Sequence, residues 1–255
     1  RVLAMNDRGE EQITLAEGFL SLDALATAGD RLVVADAEDG AIWEVLWEDT
    51  EPRLLWAEGR SPSSLVLVED QLWFTLGPDE EESAGLHRLS LDEDEEELVA
   101  GGLEDPGGLA VTQEQVYIAD RGQGELLGID PVLGTVTVLA DPFEAPQDVV
   151  WTDEGLYFTA RSPNWPGGGW VYRVGQGGGT AEQLSYSPPG LDRLAVTADH
   201  VYWSSVQSIT RAPREGGSYE ILARETRVGS FLVQSDRLVW TDRDRGQLLA
   251  LPLVD

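Results

Sequence analysis

Several residue types that carry chemistry are absent or scarce in this chain of 255 residues. It has no cysteine and no lysine, one methionine, and two histidines, His87 and His200. Without cysteine there can be no disulfide, no thiolate metal site and no cysteine nucleophile. The two histidines are far apart in the sequence and too few for a histidine metal triad, so Asp, Glu and Tyr are left as general-base candidates at neutral pH. No stretch approaches the roughly 18 consecutive apolar residues that a membrane-spanning helix needs.

Positive charge is also scarce. The 17 basic residues are all arginine and stand against 47 acidic residues, which gives a formal net charge of −30. With only two asparagines in the chain, the lack of lysine indicates a GC-rich genome. A surface this negative repels phosphate backbones and anionic lipids, so neither nucleic acid nor a membrane surface is expected as a partner. Cations and basic proteins are favoured instead, and the charge also favours solubility.

What the chain does contain is one block repeated six times. The copies read ALATAGDRLVVAD, SLVLVEDQLWFTL, GLAVTQEQVYIAD, DVVWTDEGLYFTA, RLAVTADHVYWSS and SFLVQSDRLVWTD, starting at Ala24, Ser64, Gly108, Asp148, Arg193 and Ser230. Recurrence at about 40 residues indicates one supersecondary unit used repeatedly.

Each unit contains the pattern of four short strands. A small aliphatic run such as 194–196 and an aromatic run such as 201–203 flank a polar turn and predict two inner strands. A third run after glycine or serine and a short fourth run complete the unit. Four antiparallel strands per unit predict an all-β, six-bladed β-propeller that forms one domain, 1–255. The predicted blades cover about 21–60, 61–103, 104–143, 144–187, 188–226, and 227–255 together with 11–17.

The two ends of the chain compete to close this ring. Residues 11–16 match the fourth run of the other units, whereas the sixth unit stops after its third run, 247–253. We therefore expect 11–16 to pair with the C-terminal third strand, which would remove a free sheet edge. Residues 1–5 also resemble a third run and compete with 248–253 for one place. Either segment could be displaced, a fifth strand could be added, or a longer chain could have been trimmed.

The second run of each unit carries a recurring tetrapeptide. The copies are VVAD at 33–36, WFTL at 73–76, YIAD at 117–120, YFTA at 157–160, YWSS at 202–205 and VWTD at 239–242. They resemble degenerate copies of the Tyr-Trp-Thr-Asp repeat of six-bladed propellers in lipoprotein-receptor ectodomains. Residues 209–217, ITRAPREGG, resemble the Gly-Gly hairpins of bacterial secreted propellers. The resemblance covers nearly the whole chain and implies a fold rather than an activity.

Two expectations follow from the resemblance and one from packing. The resemblance implies that Asp36, Asp120 and Asp242 make hydrogen bonds between blades, and we interpret them as structural caps at strand ends. It also implies a periplasmic or extracellular location, with any leader outside this sequence and a cytoplasmic location as the alternative. Packing predicts that large aromatic side chains fill the wedges between twisted sheets. The residues concerned are Trp73, Tyr117, Tyr157 and Tyr202.

The starts of the six blocks predict a ligand site. In a propeller the innermost strands begin at the central channel, so these residues should surround its mouth. The ionisable and amide side chains there are Asp23, Gln147, Asp148, Asp192 and Arg193. Such groups converging on a concavity are a candidate binding site. The alternative is that Arg193 pairs with Asp148 or Asp192 and the channel holds only water.

The long turn 160–169 opens on the same face and carries Asn164 and Trp165 between prolines and glycines. An aromatic residue on an ordered loop is a common ligand platform, so we include both residues in the predicted site. The alternative is that Trp165 folds back over a neighbouring blade.

No cofactor is expected, although two segments have features of a calcium site. Residues 36–40 (DAEDG) and 242–246 (DRDRG) place carboxylates close together before a glycine. Neither completes an EF-hand loop, and turns are rich in Asp and Gly for conformational reasons, so a structural role is the preferred interpretation.

Two functional hypotheses remain open. The first is a non-catalytic binding propeller that uses its loop-rich channel face for a protein or small-molecule ligand. The second is a divalent-metal-dependent hydrolase that resembles the six-bladed gluconolactonase group, with Asp23, Gln147, Asp148 and Asp192 as ligands. The Glu-Gly-Pro opening of that group appears here only as Glu17-Gly18-Phe19. The first hypothesis is preferred because no nucleophile and base pair is evident.

Overall fold

Short antiparallel strands make up the described part of the chain. The computed structural model describes residues 2–5, 12–16, 18–28, 31–45, 51–79, 83–93, 95–162, 164, 167–187, 190–224, 227–233, 237–242 and 247–253. Among these residues there is no helix long and apolar enough to cross a membrane.

Six sheets follow one another along the sequence, and each consists of consecutive strands. Blade 1 contains β3 (Leu22–Ala28), β4 (Arg31–Asp36), β5 (Ala41–Val45) and β6 (Arg53–Ala57). Blade 2 contains β7 (Pro62–Val68), β8 (Gln71–Leu76), β9 (Ala84–Ser90) and β10 (Glu95–Leu103). Blade 3 contains β11 (Pro106–Val111), β12 (Val116–Asp120), β13 (Glu125–Ile129) and β14 (Val136–Ala140).

The remaining blades continue the series. Blade 4 contains β15 (Glu144–Thr152), β16 (Gly155–Arg161), β17 (Gly169–Val174) and β18 (Glu182–Ser187). Blade 5 contains β19 (Leu194–Val196), β20 (His200–Ser205), β21 (Ser208–Pro213) and β22 (Glu220–Arg224). Blade 6 contains β23 (Val228–Val233), β24 (Arg237–Asp242) and β25 (Gln247–Pro252). A two-stranded hairpin, β1 (Val2–Met5) and β2 (Gln12–Ala16), precedes blade 1.

The sheets are arranged around a central axis. From β3 to β19, the innermost strand of each blade contacts the innermost strand of the next. The ring is completed at the axis, where Ser230 and Phe231 of β23 line the same cavity as Ala24 and Leu25 of β3. The predicted all-β, six-bladed propeller is confirmed.

The structure shows what the two competing segments at the chain ends form. Both competing segments are strands: β1 pairs with β2, and β25 pairs with β24. Within the described residues, the partner of β2 is β1. The pairing of 11–16 with the C-terminal strand therefore stays a prediction.

Burial explains the composition of the second strands. All five residues of β12 are buried, as are the last five of β8 and of β20, because each of these strands is covered by a neighbouring blade on both faces. The expected packing of the large aromatic residues between blades is confirmed. Trp73 packs with blade 3 residues, Tyr117 with blade 4 and Tyr157 with blade 5, and Tyr202 is also buried.

A β-bulge recurs in the outermost strand of blades 1 to 5. In each, the register shifts by one residue and leaves an apolar residue without a cross-strand partner. These residues are Leu55, Val99, Leu139, Leu184 and Leu222. A bulge turns its backbone away from the ladder, so its carbonyl can meet another element.

The bulge carbonyls contact the hairpin of the following blade. The amide of Gly179 donates to the carbonyl of Leu139 (2.9 Å), and the amide of Gly217 donates to that of Leu184 (3.1 Å). At Gly178 a Cβ would lie 2.5 Å from the Leu139 oxygen, and the residue has φ = +82°. Glycine is needed there both for the close approach and for the backbone conformation.

A ladder of aromatic, arginine and glutamate side chains crosses blades 2, 4 and 5 at the same register. The ladders are Trp73–Arg88–Glu97, Tyr157–Arg173–Glu182 and Tyr202–Arg211–Glu220, and each contains an Arg–Glu ion pair. In blade 3 the equivalent residues are Tyr117, Gly128 and Thr137. The outer half of blade 3 therefore lacks this charge pair.

Candidate functional site

The block starts predicted to surround the channel fall on bulges of the innermost strands. The register of each inner strand pair skips these residues in blades 1, 2, 3, 4 and 6. The skipped residues are Asp23, Ser63, Gly107 and Gly108, Gln147 and Asp148, and Gly229 and Ser230. Bulges re-aim side chains and are common beside functional sites. The two residues at each block start differ from one repeat to the next. In these blades a bulge in the inner strand places them beside the channel.

A buried hydroxyl at the third position of the tetrapeptide supports the bulge. The Thr159 hydroxyl accepts a hydrogen bond from the Asp148 amide (3.2 Å), and the Ser204 hydroxyl accepts one from the Arg193 amide (3.0 Å). In blade 2 the Thr75 hydroxyl bonds the Ser63 hydroxyl at 2.8 Å. All three supporting hydroxyl residues are buried. An amide displaced from a ladder needs such a partner.

The inner strands enclose a cavity of about 170 Å³. Its lining comes from five of the six blades: Ala24, Leu25, Ser64, Leu65, Asp148, Arg193, Leu194, Ser230 and Phe231. Asp148 and Arg193 supply opposite charges, and Ser64 and Ser230 supply hydroxyl groups. The cavity is smaller than a typical pocket for a drug-sized ligand, so its size suits a small polar molecule.

Asp148 is held firmly at this cavity. Its Oδ2 accepts a hydrogen bond from the Leu194 amide of blade 5 (2.8 Å), and its Oδ1 accepts one from the Val149 amide (3.0 Å). The carboxylate therefore connects blades 4 and 5. Its side chain is half-buried and lines the cavity.

Burial raises the pKa of Asp148 above its ordinary value of 3.8. The Arg193 guanidinium and the amides of Leu194 and Val149 act in the opposite direction, and the nearby Asp192 carboxylate adds to the increase. Desolvation disfavours the charged form, whereas the positive neighbour and the hydrogen bonds favour it. The net result is a carboxyl group that accepts a proton more readily than an ordinary aspartate.

Blade 3 contributes no side chain to the cavity for a steric reason. A Cβ at Gly107 would lie 2.5 Å from the carbonyl oxygen of Gln147, and a Cβ at Gly108 would lie 2.0 Å from Oδ1 of Asp148. The two glycines let blade 4 approach closely. They thereby set the position of Asp148.

The other predicted site residues that the structure describes do not line the cavity. The side-chain amide of Gln147 donates to the Ala145 carbonyl (2.8 Å), and the Asp192 side chain is exposed. Asn164 is exposed in the turn between β16 and β17. Asp23 lies in β3, but its side chain is outside the described part of the structure, as is all of Trp165.

Sequence reasoning missed the apolar part of the lining. Leu25, Leu65, Leu194 and Phe231 are each the second residue of their block. Because all four occupy the second position of the block, alignment of the repeats could have predicted that they line the cavity.

Asp36 and Asp120 of the tetrapeptide are caps. Both oxygens of Asp36 accept hydrogen bonds from the amides of Leu20 and Ser21, which directly precede β3. Asp120 accepts from the amides of four residues, Glu104, Asp105, Gly122 and Gln123. Glu104 and Asp105 lie between β10 of blade 2 and β11 of blade 3, so the Asp120 carboxylate holds the connection between the two blades. The Asp242 side chain and residues 243–246 lie outside the described residues.

No three His, Asp or Glu side chains are grouped to hold a metal ion among the residues that the structure describes.

The comparisons with known proteins agree on the fold. No protein-family model matches the chain, and no curated protein sequence matches it. Among solved structures, a streptogramin B lyase has a TM-score of 0.70 with 13% identity, covering 92% of this chain and 83% of the lyase. A PQQ-bound aldose sugar dehydrogenase from Streptomyces coelicolor has a TM-score of 0.70 with 15% identity, covering 94% and 96%. A nidogen/laminin complex has a TM-score of 0.69 with 16% identity, covering 88% and 90%.

These neighbours define the class of protein, a six-bladed β-propeller, and no particular activity. Two of the three are named as enzymes and one as a protein-binding complex. Propellers place unrelated activities on one scaffold, so the function has to be argued from this chain's own site.

Proposed function

We propose that this chain is a non-catalytic binding propeller that takes a small polar ligand at the mouth of its central channel. The observation that carries the proposal is the convergence of Asp148 and Arg193 with Ser64 and Ser230 on one cavity. Opposite charges and hydroxyl groups in a partly enclosed cavity suit a ligand that carries both donors and acceptors.

The positions of the proposed metal ligands favour binding over metal-assisted hydrolysis. Asp148 lines the cavity, whereas Gln147 and Asp192, which the hydrolase hypothesis needs beside it, are not among the lining residues. Among the described residues, a divalent ion would therefore meet one of these carboxylates rather than a set of ligands. Analysis of the metal content of the purified protein tests this choice, and one stoichiometric divalent ion would support the hydrolase hypothesis instead.

A ligand screen with matched variants tests the binding site. We expect ligand-observed NMR with a library of small polar metabolites to find a binder for the wild-type protein. Arg193→Gln should lose that binding, whereas Arg211→Gln should keep it because Arg211 lies near the outer edge of blade 5 and pairs with Glu220. Equal binding by both variants would place the ligand elsewhere.

The predicted role of Trp165 provides a second test. An aromatic anchor in a desolvated contact contributes a few kcal/mol, whereas Asp148→Asn keeps the shape of the side chain and one acceptor oxygen. We therefore expect Trp165→Ala to weaken binding more than Asp148→Asn. The hydrolase hypothesis predicts the reverse order, with Asp148→Asn abolishing metal retention and activity. If neither variant changed binding, the assignment to the channel face would be wrong.

The proposed location is periplasmic or extracellular. The support is the resemblance of 209–217 to bacterial secreted propellers and the strongly acidic composition. Immunodetection in the separated compartments of the native host tests it, and recovery in the cytoplasm would contradict it.

A further inference from the structure

The outer rim of blade 3 carries an apolar surface remote from the channel. We call it the blade 3 rim patch, formed by Val132, Leu133, Val136 and Val138. Val132 is 83% exposed and Leu133 76%. The corresponding hairpin of blade 4 consists of glycines and Gln176, and that of blade 5 carries Arg214 and Glu215. Among these three described hairpins, the one of blade 3 has the apolar tip.

The tip is held in a fixed conformation. The Asp130 carboxylate accepts hydrogen bonds from the amides of Val132 and Leu133, both at 2.8 Å, and the Gly134 amide donates to the Asp130 carbonyl (3.0 Å). The bonds from Leu133 and Val132 hold the pKa of Asp130 below its usual value. Val132 and Leu133 are thus presented to solvent by an ordered turn, and little entropy would be lost on binding.

Blade 2 supports the hairpin tip. A Cβ at Gly134 would lie 2.2 Å from the carbonyl oxygen of Val99, so the tip rests against the outer strand of blade 2. Val136 and Val138 pair with Ile129 and Leu127, which pack in the cluster between blades 2 and 3, so both valines lie on the blade 2 side of β14.

The patch also borders a strand edge. β14 is the outermost strand of its sheet, and it contains no charged residue (VTVLA). The outer strands β6, β10, β18 and β22 each carry at least one. Charges protect exposed edges from pairing with other strands, and β14 lacks that protection. Its Gly128–Thr137 pair also replaces the Arg–Glu pair of the other blades.

The charge around the patch determines which partner fits. Glu95 is exposed on β10, and Asp141 and Glu144 are exposed after β14, whereas Glu96 pairs with His87 and Glu97 with Arg88. A second copy of the chain would bring the same acidic groups together and would carry a further net charge of −30. Like charges across an interface are costly, so a partner of opposite charge is favoured.

We propose that the edge of β14 and the blade 3 rim patch form a docking surface for an extended segment of a basic partner protein. The segment adds to blade 3 as a fifth strand. Its backbone pairs with the edge of β14 at 136–138, before the bulge at Leu139 whose carbonyl already bonds to Gly179. Alternate apolar side chains cover Val136 and Val138, and its Lys or Arg residues lie near the acidic flanks. This mode of recognition takes affinity from the main chain and specificity from alternate side chains.

The probe for this surface is a short fluorescent peptide of alternating lysine and valine, measured by fluorescence anisotropy at physiological salt. We expect it to bind the wild-type protein, and we expect Val138→Lys to weaken binding by about tenfold or more because like charges then meet. Leu54→Lys is the matched control, since Leu54 is on the outer strand of blade 1 with 50% exposure, against 47% for Val138. It should bind as the wild type does. Val136→Lys replaces Val138→Lys if circular dichroism shows the latter to be misfolded.

Two further peptides define the mode of binding. A peptide of alternating glutamate and valine should not bind, and a lysine and valine peptide with alternate amides N-methylated should lose affinity because it cannot pair with an edge. Full binding of the methylated peptide, equal losses in Val138→Lys and Leu54→Lys, or no binding at all would overturn the proposal. So would a wild-type dimer in sedimentation that Val138→Lys dissolves, because the occupant would then be a second copy.

Discussion

At the scale of the residue, the hydroxyl of the repeated tetrapeptide has a defined role. The buried Thr159 hydroxyl accepts the amide of Asp148, which the bulge displaces from the ladder. We expect Thr159→Val to lower the free energy of unfolding by about 1–3 kcal/mol, because the substitution leaves a buried amide without this acceptor. Chemical denaturation measures the loss. The control is Thr137→Val on the exposed strand β14, which should change stability by no more than about 0.5 kcal/mol.

The ionisation of Asp148 gives a prediction with a definite sign. Because burial raises its pKa in the folded state, folding favours the protonated form. Its contribution to stability is complete below the ordinary value of 3.8 and is lost as the pH rises through the raised value. The stability of the wild type relative to Asp148→Asn should therefore fall with rising pH, by about 1.4 kcal/mol for each pKa unit of the shift.

Denaturation across this pH range provides the measurement. The lost acceptor in Asp148→Asn adds an offset that does not depend on pH, so the slope is the diagnostic quantity. Asp130→Asn is a control of opposite sign, since the pKa of Asp130 is lowered and its contribution is lost as the pH falls. A flat difference for Asp148→Asn would contradict the assigned shift.

The site was only partly predictable, and the bulge is the reason. Alignment of the repeats placed Asp148 and Arg193 at the channel, and both line the cavity. Alignment also selected Gln147 and Asp192, which lie beside it. In a regular strand consecutive residues face opposite sides, which would separate the two members of each pair. A bulge interrupts that alternation, so the sequence alone does not say which member points inward.

At the scale of the element, the hairpins between the third and fourth strands carry a testable requirement for glycine. Gly178 combines φ = +82° with close contact to the Leu139 carbonyl, whereas nothing lies within 4 Å of a Cβ at Gly177. We expect Gly178→Ala to cost about 2 kcal/mol or more through strain and the disturbed contact between blades. Gly177→Ala should be nearly neutral. Similar unfolding midpoints for the two variants in urea would show that the contact is not important.

The outer-strand bulges could not have been predicted from the sequence. The fourth runs were recognised as strands, for example at 182–184 and 220–222, because their apolar positions recur with the repeat. A single extra residue reverses the alternation of facing, but a run of three to five residues is too short to show that break in the sequence. The position of Leu184 becomes evident only through the register of its neighbours, Ser185 with Val171 and Gln183 with Tyr172.

At the scale of the whole molecule, net charge opposes the compact state. A charge of −30 on one ring generates repulsion that salt screens, with a Debye length that falls from about 30 Å at 0.01 M to about 8 Å at 0.15 M. Exposed ion pairs such as Arg88–Glu97 weaken under the same conditions but contribute about 1 kcal/mol or less each. We therefore expect sodium chloride to raise the melting temperature at neutral pH. Near the isoelectric point of about 4.1 the increase should disappear; a decrease at neutral pH would mean that the ion pairs dominate.

The overall fold was the most predictable level, because six copies of one block define six similar units. The ring closure was the least predictable. Two segments with the same pattern, 1–5 and 247–253, compete for one role, and the pattern does not distinguish them. Both are strands in the structure, each with its own partner.

The contacts between outer strands and hairpins also follow the order in which the chain is synthesised. Leu139 offers its carbonyl to Gly179, and Leu184 offers its carbonyl to Gly217, so in each contact the acceptor is synthesised before the donor. As the chain leaves the ribosome, a finished blade holds a backbone acceptor that stays in water until the next blade arrives to bond with it. We therefore expect folding during synthesis to add blades in sequence, with each new hairpin bonding to the outer strand of the blade before it.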